Sequence, residues 1–119
     1  MMLQLTPHMR LMVCVEPIDF RNGIDGLVRV CRATLGEDPF RGTVFVFRNR
    51  RSTAVKVLAY DGQGFWLCQK RLSTGRFGWW PDSVSAQTLA AHELQVLLSA
   101  GDPRGVNSPA AWRPIGAVK

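Results

Sequence analysis

The four residues Asp61-Gly62-Gln63-Gly64 constrain the fold more than any other part of this 119-residue chain. An Asp-Gly pair followed by a second glycine supplies the positive φ values of a tight turn at little steric cost. The flanking stretches, AVKVLAY at 54–60 and FWLCQKRL at 65–72, are rich in β-branched and aromatic residues. The turn therefore predicts that these two stretches pair as antiparallel strands.

A second turn, RNRRST at 48–53, joins the first of these strands to the apolar stretch TVFVF at 43–47. Three strands connected by two short turns form an antiparallel meander. The uninterrupted apolar run of 43–47 is typical of a strand that is buried on both faces. We therefore expect 43–47 to lie inside the sheet.

A strand and a helix are predicted before the meander. RLMVCV at 10–15 has the composition of a short strand. Asn22 or Asp19 is expected to cap the helix that follows, and Gly36 to end it. Gly26 lowers helix stability by up to about 1 kcal/mol relative to alanine, so we expect a close contact there. The apolar residues of the helix recur at helical spacing: Ile24, Leu27, Val28, Cys31 and Leu35.

After the meander, the stretch 84–89 fits a strand or the first turns of a helix, and the sequence leaves both open. From Ala91 the apolar spacing predicts a helix that ends near Gly101. We thus predict an α+β protein with one domain at 1–102. Its N-terminal strand and helix precede the three-stranded antiparallel meander and a C-terminal helix. The segment 103–119, rich in Pro, Gly and small residues, is predicted to be a mobile tail.

The net charge of +6 is concentrated in the middle of the chain. Residues 41–76 hold eight positive side chains and one negative, a net of +7, whereas the remaining residues hold seven positive and eight negative, a net of −1. The eight cations are Arg41, Arg48, Arg50, Arg51, Lys56, Lys70, Arg71 and Arg76, and the acid is Asp61. So concentrated a positive field favours an anionic partner, with nucleic acid first.

The meander predicts that seven of these cations share one end of the sheet, because the turn at 61–64 folds the third strand back along the second. We call this set the basic rim: Arg48, Arg50, Arg51, Lys56, Lys70, Arg71 and Arg76. Arginine predominates in it, and the planar guanidinium group binds phosphate through paired hydrogen bonds. The alternative is a charged rim that only keeps the sheet edge solvated and unpaired.

Five aromatic residues follow the turn at 61–64: Phe65, Trp66, Phe77, Trp79 and Trp80. Such residues commonly form the core of a small domain. The functional alternative is an exposed edge formed by Trp79 and Trp80, which would contact a protein partner or a stacked base.

We expect neither a catalytic site nor a metal or cofactor. The acids are dispersed over different predicted elements, His8 and His92 have no partner at ligand spacing, and no nucleotide-binding loop is present. The three scattered cysteines suit buried thiols in a reducing cytosol, so we predict a cytoplasmic protein. No apolar run is long enough to cross a bilayer, and the N-terminal stretch does not read as a signal peptide.

Several short motifs follow one another between about residues 8 and 102. They are DFRNGIDGL at 19–27, FVFRNRR at 45–51, KVL at 56–58, YDGQGF at 60–65, KRL at 70–72, GRF at 75–77, WP at 80–81 and ELQVLL at 93–98. In combination they resemble the small TnpB-type accessory proteins of IS-sixty-six insertion sequences, which are distinct from the RNA-guided nucleases called TnpB. The chain departs from that pattern at FGWWP (77–81), where one tryptophan is usual, and at Ala90, where Ser or Thr is usual.

The resemblance implies an accessory protein, needed for transposition and encoded in a bacterial mobile element beside a separate DDE transposase. It carries over the helix-start residues Arg21, Gly23, Asp25 and Gly26. From the hairpin it carries over Arg48, Arg50, Arg51, Lys56, Asp61, Gly62, Gly64, Lys70, Arg71, Gly75 and Arg76. We therefore predict a non-enzymatic protein that binds DNA phosphates, with low sequence specificity, through the basic rim and Arg21. The alternative is a module that docks on the transposase or a sister accessory protein without touching DNA; neither reading involves a membrane.

Overall fold

The computed structural model describes residues 9–82 and 86–99, with the side chains of 86 and 87 left aside. These described residues form five strands and two α-helices, with a short 3₁₀ turn at Pro39–Arg41. In chain order they are β1 Leu11–Cys14, α1 Ile24–Ala33, β2 Val44–Arg48, β3 Ala54–Tyr60, β4 Phe65–Arg71, β5 Ala86–Leu89 and α2 Ala91–Leu98. The predicted tail at 103–119 lies outside the described residues, and so does the predicted domain end at 102.

The strands form one sheet in the order β4-β3-β2-β1-β5. The meander β2-β3-β4 is antiparallel throughout, as predicted. β1 runs parallel to β2 and antiparallel to β5, so the first strand lies inside the sheet. The α+β class is confirmed. The open question at 84–89 is answered by β5, whose pairing with β1 fixes residues 86–89 as a strand.

Each face of the sheet has its own buried cluster. α1 covers the face that carries Phe45, Phe47 and Leu58, all fully buried. The opposite face packs Leu94 and Leu97 of α2 against a second cluster that includes Val13, Val46, Val57 and Trp79. Burying one large apolar side chain stabilises the fold by about 1.5–3 kcal/mol. A sheet covered on both sides explains why β2 is apolar at successive positions.

The start of α1 differs from the predicted side-chain cap. Gly23 is the N-cap residue, and no side chain accepts a hydrogen bond from the first turn. Asn22 instead donates its amide to the carbonyl oxygen of Asp19 at 2.9 Å. A methyl group at Gly26 would collide with the Asn22 side chain, so the close contact expected at this glycine is confirmed. The helix ends at Ala33, and Gly36 follows with a φ of 66°.

The turn at 61–64 forms as predicted, although only Gly62 of its two glycines has a positive φ. Asp61 Oδ1 accepts hydrogen bonds from the backbone N–H groups of Gln63 and Gly64, both at 2.9 Å, and Gly62 has a φ of 94°. The Trp66 indole N–H donates to Asp61 Oδ2 at 2.8 Å. These three donors stabilise the carboxylate and lower the pKa of Asp61.

Candidate nucleic-acid interface

The β2–β3 turn holds Arg50 and Arg51 at its tip. The Asn49 side chain organises this turn, because its Oδ1 accepts hydrogen bonds from the backbone N–H groups of Thr53 at 2.9 Å and Ala54 at 3.1 Å. Its amide donates to the Thr53 hydroxyl at 2.9 Å. Because Asn49 provides these hydrogen bonds, the turn does not need the arginine side chains to hold it, and both of them are exposed to solvent.

The strand register brings the end of β4 beside this turn. Val55 pairs with Arg48 on one side and with Lys70 on the other. The backbone N–H of Phe77 donates to the carbonyl oxygen of Ser52 at 2.8 Å, so the segment after β4 is tied to the same turn. The prediction that the two cationic stretches meet at one end of the sheet is confirmed.

Five cations at this end are exposed, and we call them the exposed rim: Arg50, Arg51, Lys70, Arg71 and Arg76. Lys70 Nζ donates to the carbonyl oxygen of Leu98 at 2.7 Å, which still leaves the ammonium group accessible. Among the described residues, the salt bridges join Arg10 to Glu37, Arg21 to Asp19 and Arg32 to Asp38, and none includes a residue of the exposed rim. The positive charge of these five side chains therefore faces solvent.

Lys56 does not belong to the exposed surface, contrary to the sequence-based expectation. Its side chain is only 6 % exposed. The ammonium group donates hydrogen bonds to the carbonyl oxygens of Phe20 and Asn22, both at 2.9 Å, and lies 4.9 Å from the centroid of the Phe20 ring. Lys56 thus fixes the segment before α1 on the sheet, and a phosphate cannot reach its ammonium without displacing those carbonyls.

Arg48 is also occupied within the protein. Its Nε and Nη2 donate to the carbonyl oxygen of Val15 at 3.3 and 3.1 Å, and Nη1 donates to the Ser52 hydroxyl at 3.1 Å. The guanidinium group also stacks over the Trp80 ring at 5.7 Å. Arg48 therefore joins the β2–β3 turn to the end of β1, and we assign it a positioning role in place of the phosphate contact expected from sequence.

Arg21 is exposed but paired. Its Nε donates to both carboxylate oxygens of Asp19, at 3.1 and 2.9 Å. This guanidinium lowers the pKa of Asp19 to about 2, so the two charges neutralise one another at ordinary pH. Asp19 also lines a cleft of about 320 Å³ between residues 17–20 and 49–51, where the carboxyl ends of β1 and β2 meet. Arg50 and Arg51 form the other wall of that cleft.

The expected exposed edge of Trp79 and Trp80 is wrong. Trp79 is 8 % exposed and belongs to the core under α2. Trp80 is partly buried, and its indole N–H donates to the carbonyl oxygen of Cys14 at 2.9 Å. The large exposed apolar side chains among the described residues are Phe40 and Trp66, at 46 % and 43 %.

Sequence reasoning missed Phe40 and assigned Trp66 to packing. Phe40 lies in the 3₁₀ turn and contacts the rings of Tyr60 and Phe65, with centroids 4.8 and 5.1 Å away. Strand alternation carries the signal for Trp66, because Phe65 and Trp66 must point to opposite faces of β4. Phe40, Tyr60 and Phe65 thus form a small aromatic cluster at the end of the sheet away from the exposed rim.

The site offers positive charge at fixed positions and little reactive chemistry. Burial raises the pKa of the Cys31 thiol to about 12 and raises that of Cys14, so both stay protonated. Within residues 9–82 and 86–99, no three His, Cys, Asp or Glu side chains converge as a metal site would require. No helix in the described part of the chain is both long and apolar enough to span a bilayer.

Fold and surface together define a small α+β domain with a cationic end to its sheet. The family described as IS66 Orf2 like protein matches residues 9–108, and the chain belongs to that family. Membership suggests an accessory role in transposition.

Two proteins of Sinorhizobium fredii (strain NBRC 101917 / NGR234) are similar along nearly their whole length. The uncharacterized protein y4jC is 34 % identical over 106 residues, which cover 89 % of this chain and 91 % of y4jC. The uncharacterized protein y4hO is 34 % identical over 113 residues, which cover 95 % of this chain and 96 % of y4hO. No solved structure matches the chain.

Proposed function

We propose that this protein is a non-enzymatic accessory factor of bacterial transposition that binds DNA phosphates through the exposed rim. One observation carries the proposal. Two stretches, twenty residues apart in sequence, are brought by strand register to one end of the sheet, where their cations face solvent. The family supplies the transposition context. Of the predicted DNA contacts, Arg50, Arg51, Lys70, Arg71 and Arg76 are retained.

The expected binding mode is electrostatic and weakly sequence-specific. Phosphate contacts position a protein on the duplex without reading bases, and every neutralised phosphate releases a counterion. Five contacts give a slope of about −4.5 in a plot of log affinity against log salt concentration. Arg50 and Arg51 project from a turn whose backbone Asn49 already holds in place, so binding needs to order little more than the two arginine side chains.

The test is a salt titration of binding to a random-sequence duplex, followed by fluorescence anisotropy. Arg50→Ala combined with Arg51→Ala removes two contacts, and the slope should fall from about −4.5 to about −2.7. The matched control combines Arg29→Ala with Arg41→Ala, which removes two exposed cations away from the exposed rim. An unchanged slope in the first variant, or equal loss in both, contradicts the proposal.

Docking on the element's transposase or on a sister accessory protein is the second candidate. Trp79 and Trp80 no longer support it, since both are engaged within the fold. The exposed Phe40 and Trp66 are the observation that favours it. Co-purification with the transposase, with and without nuclease, separates the candidates. Association that survives nuclease but is lost in Phe40→Ser or Trp66→Ser supports docking through that side chain, whereas association lost on nuclease treatment supports DNA bridging. A cytoplasmic location stays a prediction.

A further inference from the structure

β4 is an edge of the sheet, and its hydrogen-bonding pattern shows which backbone groups point away from β3. Leu72 N donates to Thr53 O and Asp61 N donates to Gly64 O, so even-numbered residues of β4 bond to β3. The odd-numbered residues therefore turn their N–H and C=O groups outward: Phe65, Leu67, Gln69 and Arg71. The aromatic Trp66, 43 % exposed, lies on the same strand.

The sequence of β4 complements itself when two copies run antiparallel about a centre at Cys68. In that register Phe65 faces Arg71, Trp66 faces Lys70 and Leu67 faces Gln69. The outward groups of one copy then meet the outward groups of the other, because every such pair at 65, 67, 69 or 71 joins two odd-numbered residues. Aromatic rings meet cations at both ends, which is a favourable cross-strand pairing.

Other alignments lose this complementarity. A parallel arrangement in register would place Lys70 beside Lys70 and Arg71 beside Arg71, and like charges directly opposite one another repel. Moving the antiparallel centre to Leu67 or Gln69 separates Trp66 from Lys70 and leaves one end of each strand unpaired. Lys70 and Arg71 thus disfavour the other ways in which two β4 edges could pair, and they permit one register that uses the whole strand.

We propose that β4 is a self-association surface, on which a second copy of this chain adds its own β4 in the antiparallel register centred at Cys68. Two five-stranded sheets then continue as one across a two-fold axis. Trp66 of each copy is covered by Lys70 of the other, and the outward N–H and C=O groups become paired. The proposal shares Lys70 and Arg71 with the exposed rim, and it is therefore tested without DNA.

The test combines light scattering with amide hydrogen exchange on the full chain. The mass should rise with concentration from 13.3 kDa towards twice that value. Exchange at Phe65, Leu67, Gln69 and Arg71 should slow by about tenfold or more over the same range. The amides at Trp66, Cys68 and Lys70, which already bond to β3, should change far less.

Gln69→Pro removes one outward N–H, and edge strands tolerate proline at such a position. It should hold the protein at 13.3 kDa, whereas the matched Gln69→Ala variant keeps the N–H and should associate like the parent. Trp66→Lys, a change at an exposed side chain, provides a second variant because it places two lysines opposite each other; Trp66→Phe is its control.

A parent protein that stays at 13.3 kDa at its highest attainable concentration overturns the proposal. So does a dimer in which the odd-numbered amides of β4 remain unprotected, or one that Gln69→Pro and Trp66→Lys both leave intact.

Discussion

Lys56 and Phe20 are joined twice: the ammonium group donates a 2.9 Å hydrogen bond to the Phe20 carbonyl oxygen and lies 4.9 Å from the centroid of its ring. The contact links β3 to a segment thirty-six residues earlier in the chain. A cation that sequence reasoning placed on the surface therefore holds the start of α1 against the sheet.

Replacing this buried lysine should destabilise the protein while leaving the five cations of the exposed rim in place. Lys56→Met keeps the aliphatic length but leaves the carbonyl oxygens of Phe20 and Asn22 without a donor, at a cost of about 1–3 kcal/mol. Urea denaturation measures the loss. Lys70→Met is the matched control, and its effect should stay within about 0.5 kcal/mol because Lys70 is exposed. Equal effects of the two variants would contradict the role given to Lys56.

Arg48 should prove to be a structural residue. Arg48→Lys keeps the positive charge but loses the paired donation to Val15 O and the planar stacking on Trp80. We expect a loss of about 1 kcal/mol in unfolding free energy. Arg48→Met, which removes the charge, should leave the salt slope of DNA binding unchanged, because the guanidinium group is engaged within the protein. A slope reduced by about 0.9, the value for one phosphate contact, in Arg48→Met would return this residue to the binding surface.

Trp66 of β4 and Trp79 of the core should respond very differently to truncation. Trp79→Ala removes a buried indole from the core under α2, with an expected cost of about 3–5 kcal/mol. Trp66→Ala removes an exposed ring and one hydrogen bond to Asp61, so its cost should stay near 1 kcal/mol. Denaturant unfolding at low protein concentration compares them, and similar losses would contradict the burial of Trp79.

Acid should weaken the ion pair between Asp19 and Arg21, which lies just before α1. The folded-state pKa of Asp19 is lowered from 3.8 to about 2, mainly by hydrogen bonds from Arg21. A depressed pKa means that the stabilisation is present above pH 4 and is lost as the pH falls towards 2. The Tm difference between the parent and Asp19→Asn should thus be largest above pH 4 and shrink towards pH 2. A difference that stays constant over that range would show that the pair contributes nothing.

Turn residues predicted the part of the sheet in which consecutive strands pair with one another, β2-β3-β4. Gly62 and Asp61 fix the turn at 61–64, and this turn together with the one at 48–53 fixes the register of β2, β3 and β4. That register is sufficient to bring Arg50 and Lys70 to the same end of the sheet. The part of the site that depends only on adjacent strands was therefore predictable from the sequence.

Most of the failures involve partners that are distant in sequence, although Arg21 pairs with Asp19 only two residues away. Strand alternation cannot show that residues 20–22 lie over Lys56, and no periodicity places Trp80 beside the carbonyl of Cys14. The strand β5 exists because β1 is available to pair with it, a contact across more than seventy residues. Counting Lys and Arg residues overestimates the exposed positive charge when a backbone carbonyl oxygen inside the fold accepts a hydrogen bond from one of them, as happens at Lys56.

The two faces of the sheet draw on different stretches of the chain. The fully buried residues under α1 lie between Cys14 and Leu58, whereas the opposite face also needs Trp79, Leu89 and the leucines of α2. During synthesis, one side of the sheet is therefore complete before the ribosome has added the residues that cover the other. A chain stopped near residue 75 would expose Val13, Val46 and Val57 together, so premature release should yield an aggregation-prone fragment.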